Sequence, residues 1–160
     1  MGEHLIAAHN LILGTVNFLV LSLPEGWGLS DPGGPPEVES RVLRDGVSWA
    51  RDGQAAYLLR LADGRLARLD LRAGPATPPV PSGFRPERPV AEVPVGGHPA
   101  RAESGRARPF LGRFGRARPV LTLAFRCPET DRGLRLSVWG ELRPEEREEL
   151  LQSLAAVACH

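Results

Sequence analysis

Lysine is absent from this chain, and all 20 basic residues are arginine. Isoleucine and asparagine occur twice each, and methionine only as Met1. GC-rich codon usage explains that composition; few thermolabile residues, arginine-only basic chemistry and 16 prolines equally fit a thermophilic source. Cysteine is scarce too. Cys127 and Cys159 have 31 residues between them, so none of the short-range ligand pairings of known zinc sites is present. No long apolar run survives inspection, because His9, Asn10, Gly14, Thr15 and Asn17 interrupt residues 5–23. A spanning helix needs about 20 predominantly apolar residues, and Glu3 stands where a secretory signal carries positive charge. A soluble cytoplasmic protein without a membrane partner is the expectation. There is no Gly-x-Ser-x-Gly elbow, phosphate loop or His-Glu-x-x-His motif, so no enzymatic activity is expected.

What is present amounts to one domain over residues 1–160, with 42% hydrophobic and 24% charged residues. Residues 16–21 read as a buried strand stopped by Pro24-Glu25-Gly26-Trp27. Residues 30–36 are loop, and Asp-Gly pairs at 45–46, 52–53 and 63–64 supply the positive φ of hairpin turns, so residues 41–73 read as a meander. Leu69 and Leu71 should face one way, and Arg68, Asp70 and Arg72 the other. Residues 75–99 hold eight prolines and predict a surface connection or extended edge, with no central strand. Two more strands are expected at 120–126 and 134–139. Pro144, the acidic first turn and an apolar stripe at Leu150, Leu151, Leu154, Val157 and Ala158 predict a helix over 144–158. Glu145, Glu146, Glu148 and Glu149 read as its solvated face. Trp27, Trp49 and Trp139 are assigned to the core. The fold class is α+β: a twisted antiparallel sheet with a hairpin meander, a proline-rich crossover and a C-terminal helix packed on the sheet.

Residues 47–54 with the following Asp-Gly turn and residues 65–74 resemble one blade of a TolB-like propeller, but no repeat follows and a propeller needs at least four blades. Phe18-Leu-Val-Leu-Ser-Leu-Pro-Glu-Gly-Trp27, Gly97-His98-Pro99-Ala100, the later strands and the terminal helix are together similar to PsbP-like domains. That resemblance implies an antiparallel sheet sandwiched by helices and a non-catalytic accessory or binding role. It carries over no functional residue.

The most unusual segment is 101–119, where Gly-Arg-Ala-Arg-Pro occurs twice. Net charge is only +1, but six arginines fall between residues 101 and 118. Arg101, Arg106, Arg108, Arg113, Arg116 and Arg118, interleaved with Phe110 and Phe114, supply charged forks and stacking faces on an expected protrusion. A protein partner in a larger assembly is the leading expectation, with RNA or DNA as an alternative. The bland reading is an exposed loop whose arginines are solvated or pair with acids elsewhere. A second alternative is a redox-sensing or metal site for zinc or copper built from His98, Cys127, Cys159 and His160. Cys127 and Cys159 as a disulfide, or as ordinary thiols, complete the possibilities. No cofactor is expected under the leading reading.

Overall fold

The computed structural model describes residues 2–10, 14–30, 53–108, 116–155 and 157–158. Its strands are β1 (Gly2–Asn10), β2 (Gly14–Leu23), β3 (Gly28–Ser30), β4 (Gly53–Arg60), β5 (Leu66–Gly74), β6 (Arg85–Pro86), β7 (Ala91–Val95), β8 (His98–Ala107), β9 (Arg118–Cys127) and β10 (Arg132–Trp139). A single helix, α1 (Pro144–Leu154), follows. All pairings are antiparallel, in the order β2-β1-β4-β5-β10-β9-β8-β6, with β3 also on β4 and β7 also on β8. The α+β class is therefore as the sequence implies.

Register separates the two faces of the central strands. One row runs Ala102–Leu123–Leu136–Leu71–Ala55, and the next Ser104–Leu121–Val138–Leu69–Tyr57. Most of these side chains are buried and join Ile6, Leu19, Leu21, Leu23, Leu150 and Leu154 in one core. Successive strand residues point to opposite faces, so the intervening row, Glu103–Thr122–Ser137–Asp70, is polar and lies on the other face. Leu69 and Leu71 do face away from Arg68, Asp70 and Arg72. α1 packs against β2 at one end of the strand order and β7 at the other, so the sheet curls around the core and the helix closes it.

The proline-rich segment lies over the polar face. A β-carbon on Gly133 would stand 2.4 Å from the Thr77 nitrogen, and one on Gly105 would stand 2.1 Å from the Arg85 carbonyl oxygen. Two glycines therefore let a backbone strap cross at van der Waals distance. Arg135 reaches up beneath it, donating from Nε to the Pro78 carbonyl at 2.7 Å and from Nη1 to Thr122 Oγ1 at 2.9 Å. Arg126 donates to the Pro75 carbonyl at 3.0 Å. The strap is an edge as expected, but it also contains β7, and the Gly96-Gly97 turn carries β7 into β8.

Several expectations need correction. Residues 101–107 do not protrude; they lie inside β8, paired to β9 over seven positions. The helix ends at Leu154, and residues 157–158 continue as coil, where Ala158 pairs with Val20 on the β2 edge. Val157 is buried from that coil, with its carbonyl against Gly96, and Ala158 is exposed. Trp139 is half-buried on the polar face, its indole Nε1 donating to Asp70 Oδ2 at 2.8 Å. Trp27 is in the core as expected, whereas Trp49 and the Asp-Gly pair at 45–46 lie outside the described residues.

Glu146 is not on a solvated face. It is 9% exposed, and its carboxylate accepts the Arg143 backbone N–H at 2.8 Å and pairs with Arg65. Asp63, in the Asp63-Gly64 turn between β4 and β5, pairs with Arg65 and Arg143, each at 2.7 Å. This clasp ties the hairpin tip to the helix start. The Arg65 side-chain hydrogen bond holds Asp63 below its ordinary 3.8, and Arg65 backbone N–H reinforces it. Burial pushes Glu146 up, but the Arg143 N–H and the Arg65 guanidinium outweigh it, so it too is lowered. Carboxyls depressed on folding stabilise the fold above their unfolded values, and that contribution is lost as pH falls through the folded ones. Asp70 has the opposite sign, since burial raises it against the hydrogen bonds from Arg68 and Trp139. Asp63→Asn isolates the clasp. Its melting temperature should fall less steeply than that of the parent below about pH 4, and superimposable pH profiles would refute the assignment.

Candidate partner-binding interface

The described parts of the two Gly-Arg-Ala-Arg-Pro copies, residues 105–108 and 116–119, lie at the paired ends of β8 and β9. Arg106 lies opposite Pro119 and Ala107 opposite Arg118, and Arg106 Nη2 donates to the Ala117 carbonyl at 3.1 Å, joining one copy to the other. Arg106, Arg108, Arg116 and Arg118 are all exposed. Alternation places Arg106 and Arg118 on opposite faces of the ribbon, so the segment presents charge in two directions.

Charge pairing divides the described arginines into two groups. Arg65, Arg68, Arg101, Arg126, Arg135 and Arg143 each have a carboxylate within 4.0 Å. Among the described residues, Arg106, Arg108, Arg116 and Arg118 have none. Arg101 stands apart from the ribbon. It sits opposite Ala124 within the sheet and donates to Glu103 Oε1 at 3.4 Å. Phe110, Arg113 and Phe114 lie outside the described residues.

Sequence reading missed two contributions. β6 pairs with β8 so that Arg85 is directly opposite Arg106, and Arg88 follows on the same strap, both exposed. The signal was weak, because a proline-rich stretch carries no strand periodicity to place its arginines. Arg135, 7% exposed at its side chain, was hidden in a plain Leu-Arg-Leu-Ser-Val alternation. Burial lowers its affinity for the proton, and Glu103, 3.7 Å from Nη1, opposes that shift. Ser137 Oγ donates to Thr122 Oγ1 at 3.2 Å, so this buried centre is a hydrogen-bonded anchor for the strap.

Two of the four residues in the His/Cys set are described. His98 opens β8 with its ring stacked on Phe125, centroids 6.4 Å apart, and Cys127 is buried at the end of β9. Cys159 and His160 lie outside the described residues, so their pairing or ligation with Cys127 does too. Among the described residues no group of three His, Cys, Asp or Glu side chains could hold a metal ion. No described helix is long and apolar enough to cross a membrane.

The comparisons add no family. No protein-family model matches the chain, and neither a curated protein nor a solved structure matches it significantly, which leaves the likeness to PsbP-like domains on the residues quoted above alone.

Proposed function

We propose that this protein is a non-enzymatic interaction module, an accessory subunit that engages an acidic protein partner through the arginine ribbon. The observation that carries this reading is the set of exposed guanidinium groups at Arg106, Arg108, Arg116 and Arg118 with no described carboxylate in reach. Six other described arginines, Arg65, Arg68, Arg101, Arg126, Arg135 and Arg143, do pair with an internal acid. An arginine fork unpaired within its own fold is suited to bidentate contact with a partner's carboxylates. A ribbon whose base is built into the sheet holds those forks in place, which lowers the ordering cost of binding.

The test is size-exclusion of native cell extract with and without nuclease, tracking the parent and a variant carrying Arg106→Ala, Arg108→Ala, Arg116→Ala and Arg118→Ala. The parent should elute in a large complex that survives nuclease, and the variant as a bare 17.3 kDa species with an unchanged melting temperature. A parent complex that collapses on nuclease would replace the protein partner with a nucleic acid. A variant that stays in the complex would end the reading.

A further inference from the structure

Building on the ribbon reading, we infer that the binding surface extends onto the proline-rich strap, and that Arg85 and Arg106 together form a two-guanidinium site for a carboxylate of the partner. β6 and β8 place Arg85 directly across from Arg106. Cross-strand partners have β-carbons about 4.5–5.5 Å apart, and like charges in that position destabilise a sheet. Both residues are exposed, and among the described residues neither has a carboxylate within ion-pair distance. Arg106 Nη2 donates to the Ala117 carbonyl on the β9 side, which leaves the remaining N–H groups of its guanidinium for a ligand. The nearby acid on β8, Glu103, is occupied by Arg101 and Arg135. A bound anion between the two guanidinium groups converts that repulsion into two attractions.

The geometry is held firmly. The Arg108 N–H donates to the Ser82 carbonyl at 3.2 Å and the Glu87 N–H to the Ser104 carbonyl at 3.0 Å, one contact on either side of Arg85. The Phe84 N–H closes a turn onto Pro81 at 3.1 Å, and Gly83 takes the positive φ of 66° that the turn needs. Gly105 admits the Arg85 carbonyl and the Phe84 ring against β8. The aliphatic stem of Arg108 runs alongside Gly83 in the same turn. A carboxylate-rich peptide segment fits this arrangement, each acidic side chain meeting fixed forks on a rigid edge.

The experiment is fluorescence anisotropy with labelled poly-L-glutamate, using the parent, the four-arginine variant, Arg85→Glu and Arg60→Glu. Arg60 is exposed on β4 and supplies the same change of charge away from the ribbon. Arg85→Glu should weaken binding about tenfold, and Arg60→Glu less than about twofold, with neither melting temperature lowered. Equal losses in the two charge reversals would reduce the effect to net charge and overturn the Arg85 site. Loss of binding in the four-arginine variant with none in Arg85→Glu would overturn the Arg85 site while leaving the ribbon reading intact. No binding by the parent would overturn both.

Discussion

Arg135→Ala should lower the unfolding free energy by about 3 kcal/mol. The truncation removes the donors to the Pro78 carbonyl and to Thr122 Oγ1, and takes the cation from beside Glu103. Breaking one side of a buried ion pair typically costs about 3–5 kcal/mol, because the surviving charge stays desolvated. Glu103 retains its contact to the more exposed Arg101 at 3.4 Å, which sets the expectation at the lower end. Arg135→Met combined with Glu103→Gln should recover much of the loss, since methionine refills the space and no buried charge is left over. Chemical denaturation of the three proteins checks this. An Arg135→Ala variant within about 0.5 kcal/mol of the parent would mean the strap is not anchored there.

Gly133→Ala is the second large effect, and it acts from the opposite side of the same contact. The added β-carbon would meet Thr77 N at 2.4 Å, Thr77 Cα at 2.5 Å and the Ala76 carbonyl carbon at 2.6 Å. All three are strap backbone, so no side-chain rotation relieves the overlap. Overpacking of this kind costs about 1–3 kcal/mol, and the rigid neighbours favour the upper half of that range. The strap must lift, and a broad-specificity protease should then cut within residues 75–84 faster than in the parent. Unchanged cleavage with an unchanged melting temperature would count against the strap lying so close to β10. Gly105→Ala meets the same obstacle at Arg85, and should also weaken poly-glutamate binding if Arg85 takes part.

Much of the sheet was legible in the chain. Strands β5, β9 and β10 alternate apolar with polar, or run apolar throughout, and the Asp63-Gly64 turn has the residues its φ of 85° at Gly64 requires. The helix start was equally plain, with Pro144 and two acids in the first turn. β8 was not legible, because the side chains it buries at Ala100, Ala102 and Ala107 are too small to stand out as an apolar period. The helix stripe overran its true end because Val157 is buried from coil by the Gly96 turn and the β2 edge, and burial leaves the same mark in either conformation. Glu146 was misread and Arg135 passed over for a shared reason. A charged residue is assigned to solvent unless its partner is known, and Arg65 and Glu103 are distant in sequence. Of the proposed binding surface, the ribbon was visible from composition, whereas Arg85 needed the β6–β8 register.

The order of strands also bears on how the chain reaches this state. β1 to β5 pair only among themselves except at one seam, and β6 to β10 likewise, with β5 against β10 joining the halves from Gly74↔Gly133 to Arg68↔Trp139. Within the halves, β1–β2, β4–β5, β7–β8, β8–β9 and β9–β10 pair strands adjacent in sequence, and such pairs close quickly, whereas β1 and β3 reach β4 over longer stretches of chain. The seam instead requires ends separated by the whole strap, β7, β8 and β9 to find each other, and loop closure of that length is the slow entropic step. The folding rate therefore depends on the β5–β10 junction. Substitutions there should slow folding, and those in the outer strand pairs should act on the rate of unfolding, as stopped-flow kinetics of the two sets would read.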